Sequence, residues 1–176
     1  PTAALTMEDA MMLGRIYERG QKITLKLQMK AKTVGDRWSR NIISEIKGHE
    51  HPDEIVVVGA HIDSWDVGQG AHDDGGGCIA SWEVLRLIKT LGLKPKRTIR
   101  CVLWTNEENG LRGSNSYRDM HLDELDNHIV AIESDAGVFA PQGFGFSGNK
   151  DTRKIIENIH ELLKPIKANQ ITDWGR

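Results

Sequence analysis

Three apolar runs constrain this chain more than any other feature. Residues 54–61 (EIVVVGAH), 98–105 (TIRCVLWT) and 128–134 (HIVAIES) are short, largely continuous and rich in β-branched side chains. Such runs suit strands buried on both faces of a sheet. Between the first two, residues 78–91 place Ile79, Trp82, Leu85 and Ile88 at helical spacing, and Gly92 can stop the helix. Residues 110–125 read as a second helix, and 151–164 (DTRKIIENIHELLK) as a third, ending before Pro165. Strand, helix, strand, helix, strand predicts an α/β fold: a mostly parallel, mixed sheet sandwiched by helices.

The part before residue 48 reads differently. Residues 7–19 predict an amphipathic helix, with Thr6 as cap, Glu8 and Asp9 at its positive end and Gly20 as its stop. In residues 22–30, Ile23, Leu25, Leu27 and Met29 alternate with polar residues, which predicts a half-buried strand. Residues 41–47 are a further candidate strand, and the change of pattern suggests a boundary within 31–40. A chain of 176 residues is long enough for one domain with a real core. No apolar run approaches the ~18 residues of a membrane span, so no membrane partner is expected. A net charge of −2 argues against a generally basic nucleic-acid binder. Cys78 and Cys101 allow one disulfide at most and form no C-x-x-C; two buried thiols on separate elements are expected. The sequence starts at Pro1 with no charged-then-apolar leader.

The near-neutral charge hides an anomaly. From Asp53 to Glu83 there are seven acidic residues and no Lys or Arg, with six of the eighteen glycines, while the remainder carries +5. Open α/β sheets bind ligands at the carboxyl ends of their strands. Here those ends read Ala60-His61-Ile62-Asp63, Thr105-Asn106-Glu107-Glu108 and Glu133-Ser134-Asp135, with Asp73-Asp74 in the loop between the first two. Carboxylates gathered on one rim raise each other's pKa unless a cation holds them ionised. Imidazole with carboxylates suits zinc, with manganese or cobalt as looser fits, and a carboxylate can bridge two ions.

The segments GAHIDSWDVGQGAHDDGGG, WTNEENGLRGS and IESDAG resemble the di-zinc exopeptidases, the family of the bacterial leucyl aminopeptidases, in its plasma glutamate carboxypeptidase branch. The likeness covers nearly the whole chain. It implies a zinc exopeptidase-like fold, with residues 1–33 as the end of a protease-associated-like insert and 34–176 as the catalytic domain. It implies two Zn2+ ions. His61 and Asp135 would hold one, Glu108 the other, and Asp73 would bridge them. Glu107 is implied as general base and Asp63 as the aspartate that orients His61 and tunes its basicity. The Asp73–Asp74 peptide is implied to be cis. The substrate class is a small peptide or dipeptide, and a homodimer and a secreted or lysosomal location are compatible with the likeness.

The family's remaining zinc ligand is a histidine downstream of the helix that 151–164 resembles, and Arg176 ends the sequence before it. The expectation is therefore a C-terminally truncated catalytic domain, inactive alone, one ligand short at the second metal and with an uncovered apolar sheet edge. His160, the last histidine, falls mid-helix and is not expected to replace it. His72 adjoins Asp73 and reads as loop-facing, while His49, His51, His121 and His128 lie in polar surroundings without a motif. Trp65 and Trp104 adjoin the site motifs as candidate pocket walls. The alternatives are a single-zinc glutaminyl cyclase-like enzyme, against which the Glu107–Glu108 pair argues, and a non-catalytic scaffold of the same fold.

Overall fold

The computed structural model describes residues 3–173. The chain divides into two compact units, Pro1–Trp38 and Ser39–Arg176. The first contains helix α1 (Met7–Glu18), capped by Thr6, whose hydroxyl accepts the Asp9 amide proton at 3.2 Å. The helix ends at Gly20, whose φ of +69° glycine adopts without steric cost. Residues 22–30 form no strand. Among the described residues nothing pairs with them, and Leu25 and Leu27 are exposed. An alternating pattern creates a strand only where a neighbour supplies the ladder of hydrogen bonds.

The second unit is built on a four-stranded mixed sheet of order β1-β3-β2-β4, with β1 at Ile42–Ile46, β2 at His51–His61, β3 at Arg97–Trp104 and β4 at His128–Glu133. Strands β2, β3 and β4 run parallel, and β1 is antiparallel to β3. Helix α2 (Gly75–Thr90) crosses from β2 to β3. Helix α3 (Arg112–Met120) and a 3-10 turn (Leu122–Asn127) lead back past β2 to β4. The single helix expected over 110–125 is thus two pieces, joined at His121, whose φ of −123° breaks the α-helical run. Because the chain leaves β2 toward one side and returns to the other, the carboxyl end of β2 is a topological switch point, the place where α/β sheets open a crevice.

Ile55, Val57, Val102, Trp104 and Tyr117 form the core between the sheet and α3. Beside them runs a buried polar network. Arg100 is 8% exposed; it donates to Glu45 at 3.0 Å, to the Tyr117 hydroxyl at 2.7 Å and to Glu124. Tyr117 hydrogen-bonds His128 Nε2 at 2.9 Å and stacks on His121. His121 and His128, two of the four histidines without a motif, therefore pack against Tyr117 on this face. Strand β4 exists as expected but is an edge strand: Ile129 and Ile132 are exposed, and among the described residues it pairs only with β2. Four elements follow: β5 (Gly143–Phe146), α4 (Lys150–Glu161), a 3-10 turn (Lys164–Ile166) and β6 (Gln170–Asp173), with β5 and β6 paired in parallel. Cys78 and Cys101 are buried free thiols. No described helix is long and apolar enough to cross a membrane.

Candidate metal centre

The switch point is where the singled-out side chains gather. His61 is the last residue of β2, 1% exposed, and pairs in register with Trp104 of β3. Its Nδ1–H donates to the backbone carbonyl of Asp63 at 2.9 Å, which turns Nε2 toward the rim. There Nε2 lies 3.0 Å from Asp73 Oδ1, 3.4 Å from Asp135 Oδ1 and 4.0 Å from Glu107 Oε2. A bare nitrogen lone pair facing three carboxylates is repulsive unless a proton or a cation stands between them. Burial pushes the imidazole pKa down. The Asp63 carbonyl and the charges of Asp135, Asp74 and Glu107 outweigh that and leave the ring above its ordinary value.

Asp73 and Asp74 are joined by a cis peptide bond. Asp74 is 1% exposed and does two backbone jobs: one oxygen accepts the His61 amide proton at 3.1 Å, and the other caps α2 by accepting from Gly77 N–H at 3.0 Å. Burial pushes its pKa up, opposed by those two amides, and the net direction is upward. Gly76 and Gly77 then let the loop after β4 close on the start of α2. A Cβ on Gly77 would sit 1.9 Å from the Ser134 carbonyl oxygen, and one on Gly76 would sit 1.7 Å from Val138 Cγ1. Ser134 N–H, anchored on Gly59 O at 2.9 Å, sets the height at which Asp135 enters the rim. The sequence flagged these glycines only as a loop composition; their reason is this contact across the sheet.

Asp63 stands beside the ring through two groups. Its nearer carboxylate oxygen is 3.8 Å from His61 Nδ1, and the ring is held by the Asp63 carbonyl. The carboxylate accepts two amide protons, from Glu107 at 2.9 Å and Glu108 at 3.3 Å. Asp63 thus ties the end of β2 to the loop after β3, which carries both glutamates. That loop is tight: Asn106 takes a positive φ of 58°, and Gly113 approaches Thr105 so closely that a Cβ would lie 2.3 Å from its carbonyl oxygen. Asn41 braces it, accepting from Thr105 N–H at 3.0 Å and donating to Gly113 O at 2.8 Å. Asn41 was not legible as a site-supporting residue, since its contact spans more than sixty positions.

His61, Asp73 and Asp135 offer ligand atoms that all lie within 4.8 Å of one another. Glu108 stands outside that group. Its Oε1 is buried without a hydrogen-bond partner, and burial, then the Asp73 charge, holds its carboxyl above the ordinary value. A buried carboxylate oxygen with no donor, beside a rim of carboxylates and one imidazole, is a donor set suited to zinc. His160 lies on α4 and belongs to no such group among the described residues. His72 approaches Phe139, its ring 5.3 Å away centre to centre.

Comparison with known proteins places this geometry. Human carboxypeptidase Q is 49% identical over 99% of this chain, and the chain spans 37% of its length. Leucine aminopeptidase 2 of Trichophyton equinum is 35% identical over 75% of the chain and 26% of its own length. Among solved structures, a peptidase M28 precursor from Shewanella amazonensis superposes with a TM-score of 0.79 at 33% identity, covering 94% of this chain and 37% of that one. A zinc aminopeptidase from Bacillus subtilis superposes at 0.61 with 27% identity, covering 77% of this chain and 35% of its own. The chain thus spans about a quarter to a third of the length of these relatives. The sequence model of peptidase family M28 matches residues 41–175, and the chain belongs to that family.

Proposed function

We propose that this chain carries the zinc-binding and proton-transfer residues of a metallo-exopeptidase that removes an end residue from small peptides or dipeptides. The observation that supports it most is the convergence of His61 Nε2, Asp73 Oδ1 and Asp135 Oδ1 at the carboxyl ends of the parallel strands. His61 and Asp135 would hold one zinc, Glu108 a second, and Asp73 would bridge them. When bound, the metal polarises the scissile carbonyl and brings water within reach of deprotonation near neutral pH. Glu107, held by its amide to Asp63, takes the proton from the attacking water and hands it to the departing amine. Asp63 keeps Glu107 and Glu108 at fixed height on the rim. The greater identity to the carboxypeptidase than to the aminopeptidase supports the carboxypeptidase or dipeptidase type. The family match starting at residue 41 supports residues 1–33 as the end of an insert that precedes the catalytic domain.

The test is Glu107→Gln in the protein made from its complete reading frame. Zinc content by elemental analysis should stay near that of the parent, and turnover should fall by about 10²–10⁴-fold. Near-normal turnover would remove Glu107 from the proton-transfer role. A parent protein that holds no zinc would favour the scaffold reading.

A further inference from the structure

Beside the metal-ligand group, Ser64, Trp65, Gly70, Ala71, His72 and Asp73 line an open cleft of about 300 Å³. That is the low end for ligand sites, with room for one side chain rather than a whole peptide. Its walls are two rings. The Trp65 indole is 58% exposed, and the His72 imidazole is steadied by Phe139. Gly137 makes this possible, since a Cβ there would lie 2.9 Å from His72 Nε2. Gly70 and Ala71, which also line the cleft, present only backbone and a methyl group. Asp73 is shared between the cleft and the ligand group: it lines the cleft, and its Oδ1 is 3.0 Å from His61 Nε2. No Lys or Arg occurs between Asp53 and Leu85 to receive a substrate carboxylate there. The only charge on its wall is Asp73, which the peptidase reading commits to metal. What the cleft offers an incoming residue is aromatic surface.

We propose that this cleft receives the uncharged apolar or aromatic side chain of the substrate residue beside the scissile bond, with Trp65 as the residue that sets the preference. The proposal rests on the peptidase reading. An aromatic ring packed on an indole gains from its large buried area and from ring–ring geometry. A glycine at the same substrate position gains neither.

The test uses the zinc-loaded protein from its complete reading frame and two dipeptide series. One varies the residue on the amino side of the bond and the other the residue on the carboxyl side, each through Gly, Leu, Phe, Lys and Asp. In one series kcat/KM should favour Phe and Leu over Gly, Lys and Asp. Trp65→Ala should lower kcat/KM for the Phe substrate at least tenfold more than for the Gly substrate, and Trp65→Phe should restore most of the difference. Hydrolysis without side-chain preference, or an equal loss for both substrates, overturns the cleft and leaves the peptidase reading standing. Failure to hydrolyse any dipeptide overturns the peptidase reading instead. The cleft is then decided by nuclear magnetic resonance of the Trp65 indole N–H during titration with N-acetyl-phenylalaninamide against N-acetyl-glycinamide. A saturable shift with the first alone supports aromatic binding in the cleft, and its absence refutes it.

Discussion

Replacing Gly77 by alanine should damage this fold more than replacing Gly76, although the bare distances suggest the opposite. A Cβ on Gly76 would meet Val138 Cγ1 at 1.7 Å, closer than any contact facing Gly77. Val138 is half-exposed, however, and a rotation about its χ1 removes the methyl. Its own Cβ then stands 3.2 Å away, and a few tenths of an ångström of adjustment suffice. Gly77→Ala offers no such escape. Its Cβ would lie 1.9 Å from the Ser134 carbonyl oxygen and 2.2 Å from Asp74 Oδ1, one a backbone atom and the other a buried cap. Ordinary C···O contact begins near about 3.3 Å, so Ser134 must retreat by about 1.4 Å. Overpacking of this kind costs about 1–3 kcal/mol, and a loosened cap adds about 1 kcal/mol. A total near 3 kcal/mol lowers Tm by about 6–12 °C for a unit of this size. Ser134 precedes Asp135, so the same retreat draws this proposed ligand away from His61 and, on that reading, should weaken zinc binding by about 10–100-fold. Thermal unfolding and competition with a chromophoric zinc chelator measure both effects. Gly14→Ala, on α1 with nothing within 4 Å of the added carbon, is the control and should be neutral or slightly stabilising. If Gly77→Ala melts within about 2 °C of the parent with unchanged zinc affinity, or if Gly76→Ala is the worse of the two, the interlock does not set the site.

Other expectations follow from named contacts. Asp63→Ala leaves the amides of Glu107 and Glu108 without their acceptor, which should cost about 1–3 kcal/mol and speed exchange of those two amide protons in hydrogen-exchange mass spectrometry. Asp63→Asn, which keeps one acceptor oxygen, should fall between it and the parent. Arg100→Met strands Glu45 and Glu124 and takes a donor from the Tyr117 hydroxyl, so urea unfolding should show a loss of about 3–5 kcal/mol. Burial, then the Asp74 charge, pushes the Cys78 thiol up to about 11, so it should resist alkylation at pH 8 in the native protein. The unfolded thiol ionises first, near its ordinary value of 9.0, while the folded one keeps its proton. Its contribution to stability is therefore complete below pH 9 and declines as pH rises toward 11, by up to about 1.4 kcal/mol per unit. Cys78→Ala should remove that slope.

What the sequence revealed and what it hid divide along the range of the forces involved. Strands β2 and β3 were legible because burial on both faces writes itself into consecutive residues, Val56-Val57-Val58 and Cys101-Val102-Leu103. The crossing helix α2 was legible through its apolar spacing, and once the parallel order was set the strand ends had to share a rim. That is how His61, Asp73 and Asp135, scattered over 75 positions, could be read as neighbours before any distance was known. Segment 22–30 carried alternation instead, and among the described residues no strand pairs with it, so the pattern created nothing. β5 and β6 escaped because four residues of Gly-Phe-Gly-Phe or Gln-Ile-Thr-Asp are too few to establish a period. The finer construction of the rim is non-local and was silent. Gly77 reads as a flexible residue in a loop, yet its missing Cβ is what lets Ser134 approach. Asp63 was expected to orient the imidazole. In the fold its carbonyl accepts from the ring, and its carboxylate also holds the next strand's glutamates. Two residues of separation from His61 fixed that something of Asp63 would reach the ring. Which atom reached it depended on where β3 ended, and that is a property of the sheet rather than of the motif.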